Sequence, residues 1–316
     1  MKILVTGGAG FIGSHLVDQL MQRGHKVTVF DNLSSGRKKF ISHHLNKKNF
    51  KFIKADILDF ENVKKAMRGQ ELVHHLAANP DIRYGIEHPD YDLKQNTMTT
   101  FNVLEAMRLN GVKKISFSSS SVVYGEAEKI PTPEDYGPPT PISLYGASKL
   151  AAEGLITAYC HTFGFQSWIF RFANIVGKRQ THGVIVDFIE KLKKNPHELE
   201  ILGDGRQSKS YLLVEECVDA MLFAVEKSSE KVNIFNLGSK DQVSVARIAE
   251  ILCEEVGFNP KLRYTGTERG WPGDVPRMML DVKKINRLGW DAKHSSEEAV
   301  RTAVKDLSKE LVLVKK

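Results

Sequence analysis

The chain has 316 residues, of which 41% are hydrophobic and 26% charged, with Gly 24 and Pro 11. This is enough to bury a sizeable core, and it excludes disordered, collagen-like and coiled-coil classes. Lys+Arg 45 against Asp+Glu 38 leaves a formal charge of +7, a surplus that suits nucleic acid and phosphorylated small molecules equally well.

Short apolar runs alternate with helical patterns through the first two-thirds, as in a parallel sheet covered by helices on both faces. In chain order, strands are expected at Lys2 to Val5, Lys26 to Phe30, Phe50 to Lys54, Leu72 to Leu76, Lys114 to Ser118 and Ser167 to Phe172. Between them lie helical stretches such as Ile12 to Gln22, closed by Gly24, and Asn96 to Arg108. After Asn174 the rhythm changes. A helix is expected at Val184 to Lys194, then a polar turn at Gly203-Asp204-Gly205, a helix from about Val214 and a strand at Val232 to Leu237. A last helix covers about Ser244 to Val256, with Ser244 placed to cap it. The expected fold is α/β: a doubly wound parallel sheet (Rossmann) with a smaller, interleaved C-terminal domain. Residues 1–173 and 213–243 are assigned to the sheet domain, and residues 174–212 and 244–316 to the smaller one.

Cys160, Cys217 and Cys253 lie far apart with no CxxC pair, which provides neither a disulfide framework nor a zinc signature. A cytoplasmic location is expected, because the first residues lack the features of a secretory leader and no apolar run approaches the ~18 residues of a membrane span. His43-His44 and His74-His75 are adjacent pairs whose side chains are expected to diverge, and no carboxylate or Cys stands at ligand spacing, so no metal site is expected. The basic tracts Lys47-Lys48 and Lys191 to Lys194 read as solvated faces.

Thr6-Gly7-Gly8-Ala9-Gly10-Phe11-Ile12-Gly13 follows the first strand and opens the first helix, the context in which a glycine pattern points to a dinucleotide. Glycines let the chain turn tightly and let a pyrophosphate approach the helix N-terminus. Asp31 ends the second strand about 20 residues on, where a carboxylate accepts both hydroxyls of the adenine ribose and repels a 2′-phosphate. NAD is therefore favoured over NADP, with Arg37, Lys38 and Lys39 standing nearby.

Tyr145-Gly146-Ala147-Ser148-Lys149 places a phenol and an ammonium four residues apart, on one face of a helix. A tyrosine pKa near 10 makes a poor base; bringing it to neutral pH takes roughly 4 kcal/mol of differential interaction, which an adjacent Lys⁺ and a positive nicotinamide both favour. Tyr145 can then take a proton from a sugar hydroxyl as hydride leaves the same carbon. The run Ser118-Ser119-Ser120-Ser121 follows another strand of the sheet, at whose carboxyl end ligands of such folds bind.

TGGAGFIG, Asp31-Asn32, Asp56-Ile57, Leu76-Ala77-Ala78, Asn96, the SSSSVVYG segment, YGASK, and Arg171 with Asn174 together resemble an extended short-chain dehydrogenase/reductase of the UDP-glucose 4-epimerase type. The resemblance runs down to Gly273-Asp274 and Leu288-Gly289-Trp290. It implies a cofactor site of Gly7, Gly10, Phe11, Ile12, Gly13, Asp31, Asn32, Asp56, Ile57, Leu76, Ala77, Ala78, Asn96, Ser118, Tyr145, Lys149 and Phe172. In that site Asp56 meets the adenine, and Lys149 also holds the nicotinamide ribose. It implies Tyr145, Lys149 and Ser120 as the catalytic set. Ser120, Ser121, Tyr145, Asn174, Val184, Lys209, Arg269 and Asp274 form the implied substrate site. The implied reaction is oxidation at C4 of a nucleotide hexose, rotation of the 4-keto intermediate and return of hydride to the other face.

Departures from the family pattern bear on the activity. Related 4,6-dehydratases carry Asp and Glu where this chain has Ser121 and Val122, and the decarboxylases keep a Glu at Val122; the absence of both argues for epimerisation. The family's arginine in the GDGxxxR stretch is here Lys209, and the arginine three before the Gly-Asp aspartate is Trp271, with Arg269 two residues earlier as a substitute. A lysine familiar from bacterial galactose epimerases is replaced in the Asn79-Pro80-Asp81 loop. Met278 stands where side-chain bulk decides whether an N-acetyl group fits. UDP-glucose and UDP-galactose are the default pair. UDP-N-acetylglucosamine or UDP-glucuronate epimerases, other NAD-dependent relatives, and a non-catalytic dinucleotide- or RNA-binding protein are the alternatives. A homodimer through a four-helix interface is expected, built from about Asn96 to Arg108 and Ser148 to His161 with small Ala151, Ala152 and Gly154. Neither a nucleic-acid nor a membrane partner is expected.

Overall fold

The computed structural model describes residues 1–311 and residue 313. These divide into two compact units: Met1–Val123, Leu144–Arg171 and Met221–Phe235 in the first, and Tyr124–Ser143, Phe172–Ala220 and the residues from Asn236 onward in the second. Residues 124–143 thus fall in the second unit, whereas the sequence reading put them with the sheet. Tyr124 Oη donates to Asn236 Oδ1 at 2.8 Å, and Thr132 N–H donates to Met279 O at 2.9 Å, so this segment is tied to chain that comes much later.

Seven strands form the main sheet: β1 (Lys2–Thr6), β2 (Lys26–Asp31), β3 (Phe50–Lys54), β4 (Leu72–His75), β5 (Lys114–Ser120), β6 (Gln166–Phe172) and β7 (Val232–Leu237). Their spatial order is β7-β6-β5-β4-β1-β2-β3. β1 pairs parallel with β2 and β4, β2 with β3, and β4 with β5. The strand order reverses between β1 and β4, and in open sheets of this kind ligands bind beyond the carboxyl ends of the strands at that point.

The interior strands are buried on nearly every residue because helices cover both faces. Leu4, Phe30, Val73, Ile115 and Phe117 pack with Val103, Met107, Ile156 and Cys160 from the helices. β5 runs through Ser120, two residues beyond the sequence expectation, so most of the serine run is strand rather than turn. The helix expected from Asn96 begins earlier, with a π-helical turn at Leu93–Met98 that passes into a regular helix at Thr99–Leu109. Such turns are rare and favour functional sites.

His74 in β4 is fully buried, and neither ring nitrogen has a hydrogen-bond partner. Burial pushes its pKa down to about 3, so the folded chain holds it neutral while the unfolded chain takes up a proton below about 6.5. Stability is present above that value and drains away as pH falls toward 3. His74→Leu is expected to gain about 1–3 kcal/mol at pH 7, because it removes unpaired polar atoms. It should also lose less stability than the parent chain in urea melts between pH 7 and 5.

In the second unit, helices Val184–Lys194, Val245–Val256 and Ser296–Glu310 share a core of Ile185, Phe188, Ile248, Leu252, Val300 and Leu307. Ser244 caps its helix as expected, accepting from Arg247 N–H at 3.2 Å. Ser295 and Glu298 form a reciprocal capping box on the last helix.

Candidate active site

β1 runs directly into the glycine turn and the helix Phe11–Gln22. Two glycines are imposed by close backbone approach. A Cβ on Gly13 would stand 2.1 Å from Gly7 O, and one on Gly7, at φ +68°, would stand 2.7 Å from Ala77 N. Gly10 at the N-cap provides no side-chain cap, so the first-turn N–H groups are left for an anion. Asp31, at the end of β2, accepts Ala9 N–H at 2.9 Å and Leu33 N–H at 2.8 Å. Burial pushes its carboxyl above the ordinary carboxylate value, and the bonds from Leu33 and Ala9 offset only part of that rise. A carboxylate has about four acceptor positions, so two remain for a ribose diol. Asn32 Nδ2 donates to Asp56 Oδ2 at 3.2 Å, and Ala77 N–H donates to Thr6 Oγ1 at 3.3 Å. Contacts therefore gather the glycine turn with Asp31 and Ala77, and join Asn32 to Asp56. Ile57 differs, because its side chain is part of the hydrophobic core. Phe172 belongs to the second unit. An uncapped helix N-terminus beside a buried acceptor carboxylate fits a dinucleotide.

Tyr145 lies in the first turn of the helix Leu144–Phe163, and Lys149 lies one turn on. Lys149 is 2% exposed; its Nζ donates to Ser118 O at 2.8 Å and lies 4.8 Å from the centre of the Phe117 ring and 5.7 Å from that of Tyr145. Burial pulls the ammonium down to about 7, against the charges of Glu153 and Asp92, which raise it. Tyr145 keeps part of its surface open, yet the packing around its hydroxyl desolvates it and pushes its pKa above the ordinary phenol value, with Asp92 adding to the effect. Desolvation thus favours the neutral phenol in the chain alone, and the phenolate expected from the sequence calls for the positive nicotinamide together with Lys149.

The serine run alternates faces. Ser119 Oγ donates to Glu153 Oε1 at 2.5 Å, and Ser118 Oγ donates to His75 O at 3.4 Å. Ser120 is half-buried and accepts a long bond, 3.4 Å, from Val122 N–H. Ser121 is buried at the start of a short turn, Ser121–Tyr124.

Two buried networks beside these residues are centred on Glu153 and Asp92, which no motif announced. Glu153 and Arg171, 4% and 5% exposed, form an ion pair with Nη2–Oε2 at 2.7 Å, in addition to the Ser119 bond. Asp92, 1% exposed, accepts from Asn79 Nδ2 at 2.9 Å and Asn96 Nδ2 at 3.3 Å, and Asn96 Nδ2 also donates to Ser148 Oγ at 2.8 Å. Asn96, within the π-helical turn, is thus held by the side chains of Asp92 and Ser148 and by Asn79 N–H, which donates to its Oδ1 at 2.9 Å. Its predicted cofactor role stands beside this observed structural one. Asp92→Asn keeps the shape and removes a negative charge that disfavours the Tyr145 phenolate. The pH at which turnover switches on is therefore expected to move downward, as a pH–rate profile will show.

In the second unit, Lys209 Nζ lies 2.6 Å from Asp274 Oδ1 and 5.3 Å from the Trp271 ring centre. Arg269 pairs with Glu126 at 2.7 Å and donates to Asp274 O at 2.8 Å. Lys209, Arg269 and Asp274 are thus brought together, with Trp271 stacked beside the ammonium. Asn174 donates from N–H and Nδ2 to Ser210 O, at 3.1 and 3.4 Å. Val184 starts its helix just after Gly183.

The expectation about His43 and His44 is corrected: their side chains converge, and Asp18 supplies a carboxylate. Both Nε2 atoms lie within 2.8 Å of Asp18 Oδ1, because the tight turn Ser42–His44 brings the two rings to one side.

A sequence model described as the NAD dependent epimerase/dehydratase family matches residues 3–238. The chain belongs to the NAD-dependent epimerase/dehydratase family. Among its relatives is a Methanocaldococcus jannaschii protein provisionally named UDP-glucose 4-epimerase, 38% identical over 308 residues, covering 96% of this chain and 97% of that one. A crystal structure of a UDP-galactose 4-epimerase is 43% identical, with a TM-score of 0.89 over 98% of this chain and 100% of the other. The UDP-glucose 4-epimerase of Thermotoga maritima, solved with UDP-glucose, is 36% identical at a TM-score of 0.89, again over 98% of this chain and 100% of that one. Among the described residues, no helix is long and apolar enough to cross a membrane.

Proposed function

We propose that the chain is an NAD-dependent C4 epimerase of nucleotide sugars, with UDP-galactose and UDP-glucose as its substrate pair. The observation that carries this reading is Tyr145 and Lys149 on one helix face, with the Lys149 ammonium anchored to Ser118 O. NAD held at the glycine turn and Asp31 would supply a reversible hydride acceptor for the C4 hydrogen and a positive ring charge.

The chain does the rest. Tyr145 Oη takes the C4 hydroxyl proton and later gives it back, and Ser120 Oγ donates a hydrogen bond to the same oxygen. Lys149 holds the nicotinamide ribose and adds positive charge beside the phenol. Asp31 accepts the adenine ribose hydroxyls, and the uncapped helix N-terminus takes the pyrophosphate. In the second unit, Lys209, Arg269 and Asn174 serve the nucleotide diphosphate of the substrate. Lys209 has spare donors beyond its Asp274 partner, but lacks the planar fork of an arginine. Ser121 and Val122 leave the site without the extra acid and base that elimination needs.

Purified protein incubated with UDP-galactose and catalytic NAD is expected to yield UDP-glucose by NMR, without build-up of NADH. Unchanged UDP-galactose with turnover of UDP-N-acetylgalactosamine would shift the substrate to the acetylated pair. No turnover of either sugar would defeat the reading.

The same proposal includes a homodimer through the helices Thr99–Leu109 and Leu144–Phe163. Met98 and Phe101 expose large apolar side chains, and Ala151 and Gly154 are small and exposed, which permits close helix packing. A monomeric mass by light scattering at micromolar concentration would rule this out. Three free cysteines support a reducing, cytoplasmic setting.

A further inference from the structure

Asp18 lies on the helix Phe11–Gln22, and His43 and His44 lie in the turn Ser42–His44. Neighbouring side chains usually point apart, yet these two imidazoles stand 4.0 Å centre to centre and aim Nε2 at the same Asp18 Oδ1, at 2.8 and 2.7 Å. The three donor atoms lie within 4.8 Å of one another. The His44 side chain is buried and packs on Phe50 with ring centres 5.5 Å apart, whereas the His43 side chain is 48% exposed.

We propose that Asp18, His43 and His44 form a binding site for a divalent transition metal of the zinc, cobalt or nickel class, with water completing the shell on the exposed His43 side. Two imidazoles and a carboxylate suit these ions better than magnesium or calcium, which take oxygen ligands. Bonds of about 2.0–2.1 Å in a tetrahedral shell hold ligand atoms roughly 3.3 Å apart. The cluster therefore has to open by about half an ångström, which the exposed His43 allows.

Protons decide the strength of the site. Lys47 Nζ donates to His44 Nδ1 at 3.0 Å, so neutral His44 carries its proton on Nε2 and donates it to Asp18. To ligate through Nε2, His44 moves that proton to Nδ1, and the Lys47 ammonium, which accepts nothing, must release the ring. Lys47 is exposed and can swing away. It is a built-in competitor of the metal, through both its charge and its hydrogen bond.

A bound ion would join the helix that opens on the glycine turn to the loop that follows Asp31. That loop already leans on the turn, since Arg37 N–H donates to Ala9 O at 2.8 Å. Metal binding is accordingly expected to raise the melting temperature of the chain.

The test is titration of the metal-stripped, full-length protein with Co²⁺, followed by visible d–d absorption, and with Zn²⁺, followed by calorimetry. One ion per chain is expected. His43→Ala and Asp18→Asn are each expected to weaken binding at least about 10-fold, and Lys47→Met to tighten it by about 10-fold, in line with the leverage of neighbouring groups on metal sites. His43 is exposed, so its alanine variant should keep the parent circular dichroism spectrum. Titrations unchanged by His43→Ala, or weakened by Lys47→Met, would overturn the site and leave Asp18 as a hydrogen-bonded clamp for two histidines.

Discussion

Tyr145→Phe is expected to lower kcat for C4 epimerisation by about 10²–10⁴-fold, the usual range for loss of a positioned acid–base group, while the protein keeps its NAD. The variant loses only an oxygen, so the packing around the helix Leu144–Phe163 is retained. Burial holds the phenol neutral in the chain alone, so the proton acceptor is created only when positive charge arrives beside it. Lys149, brought down to about 7, is too finely balanced to supply that charge by itself. Lys149→Met should therefore also lose turnover. NAD content by absorbance and turnover by NMR check both variants, and activity close to that of the parent in Tyr145→Phe would remove the tyrosine from the chemistry.

Arg171→Met is expected to cost about 3–5 kcal/mol of folding stability, because it leaves the Glu153 carboxylate buried without its cation. Glu153 accepts from Arg171 Nε at 3.1 Å and Nη2 at 2.7 Å, and from Ser119 Oγ at 2.5 Å. The pair thus joins β5, β6 and the Tyr145 helix directly beneath the serine run. Converting both residues, with Glu153→Leu and Arg171→Met together, should recover most of the loss, since a buried ion pair is often replaceable by apolar packing. Urea melts of the single and double variants separate the two effects. A single variant as stable as the parent would show that the pair carries no such burden.

The strands, most helices and the glycine turn were legible because each rests on local pattern: apolar runs, period-3.6 spacing, and glycines where backbone crosses backbone. Ser244 was readable as a cap for the same reason. Asp92, Glu153 and Asp18 were not readable, since each acquires its role only when segments distant in sequence meet in space. The His43-His44 pair was misread because alternation of side chains holds along extended chain but not within a tight turn. Tyr145 and Lys149 were correctly placed together. The desolvation of their hydroxyl and ammonium was not legible, because spacing along a helix carries no information about burial.

The most direct test of the central claim is conversion of UDP-galactose carrying deuterium at C4, in ordinary water with catalytic NAD. The account predicts UDP-glucose that retains the deuterium at C4, because the hydrogen removed from one face is returned to the other within the same site. Product carrying solvent hydrogen at C4 would contradict it, and would mean that the carbon exchanges a proton rather than being oxidised and reduced.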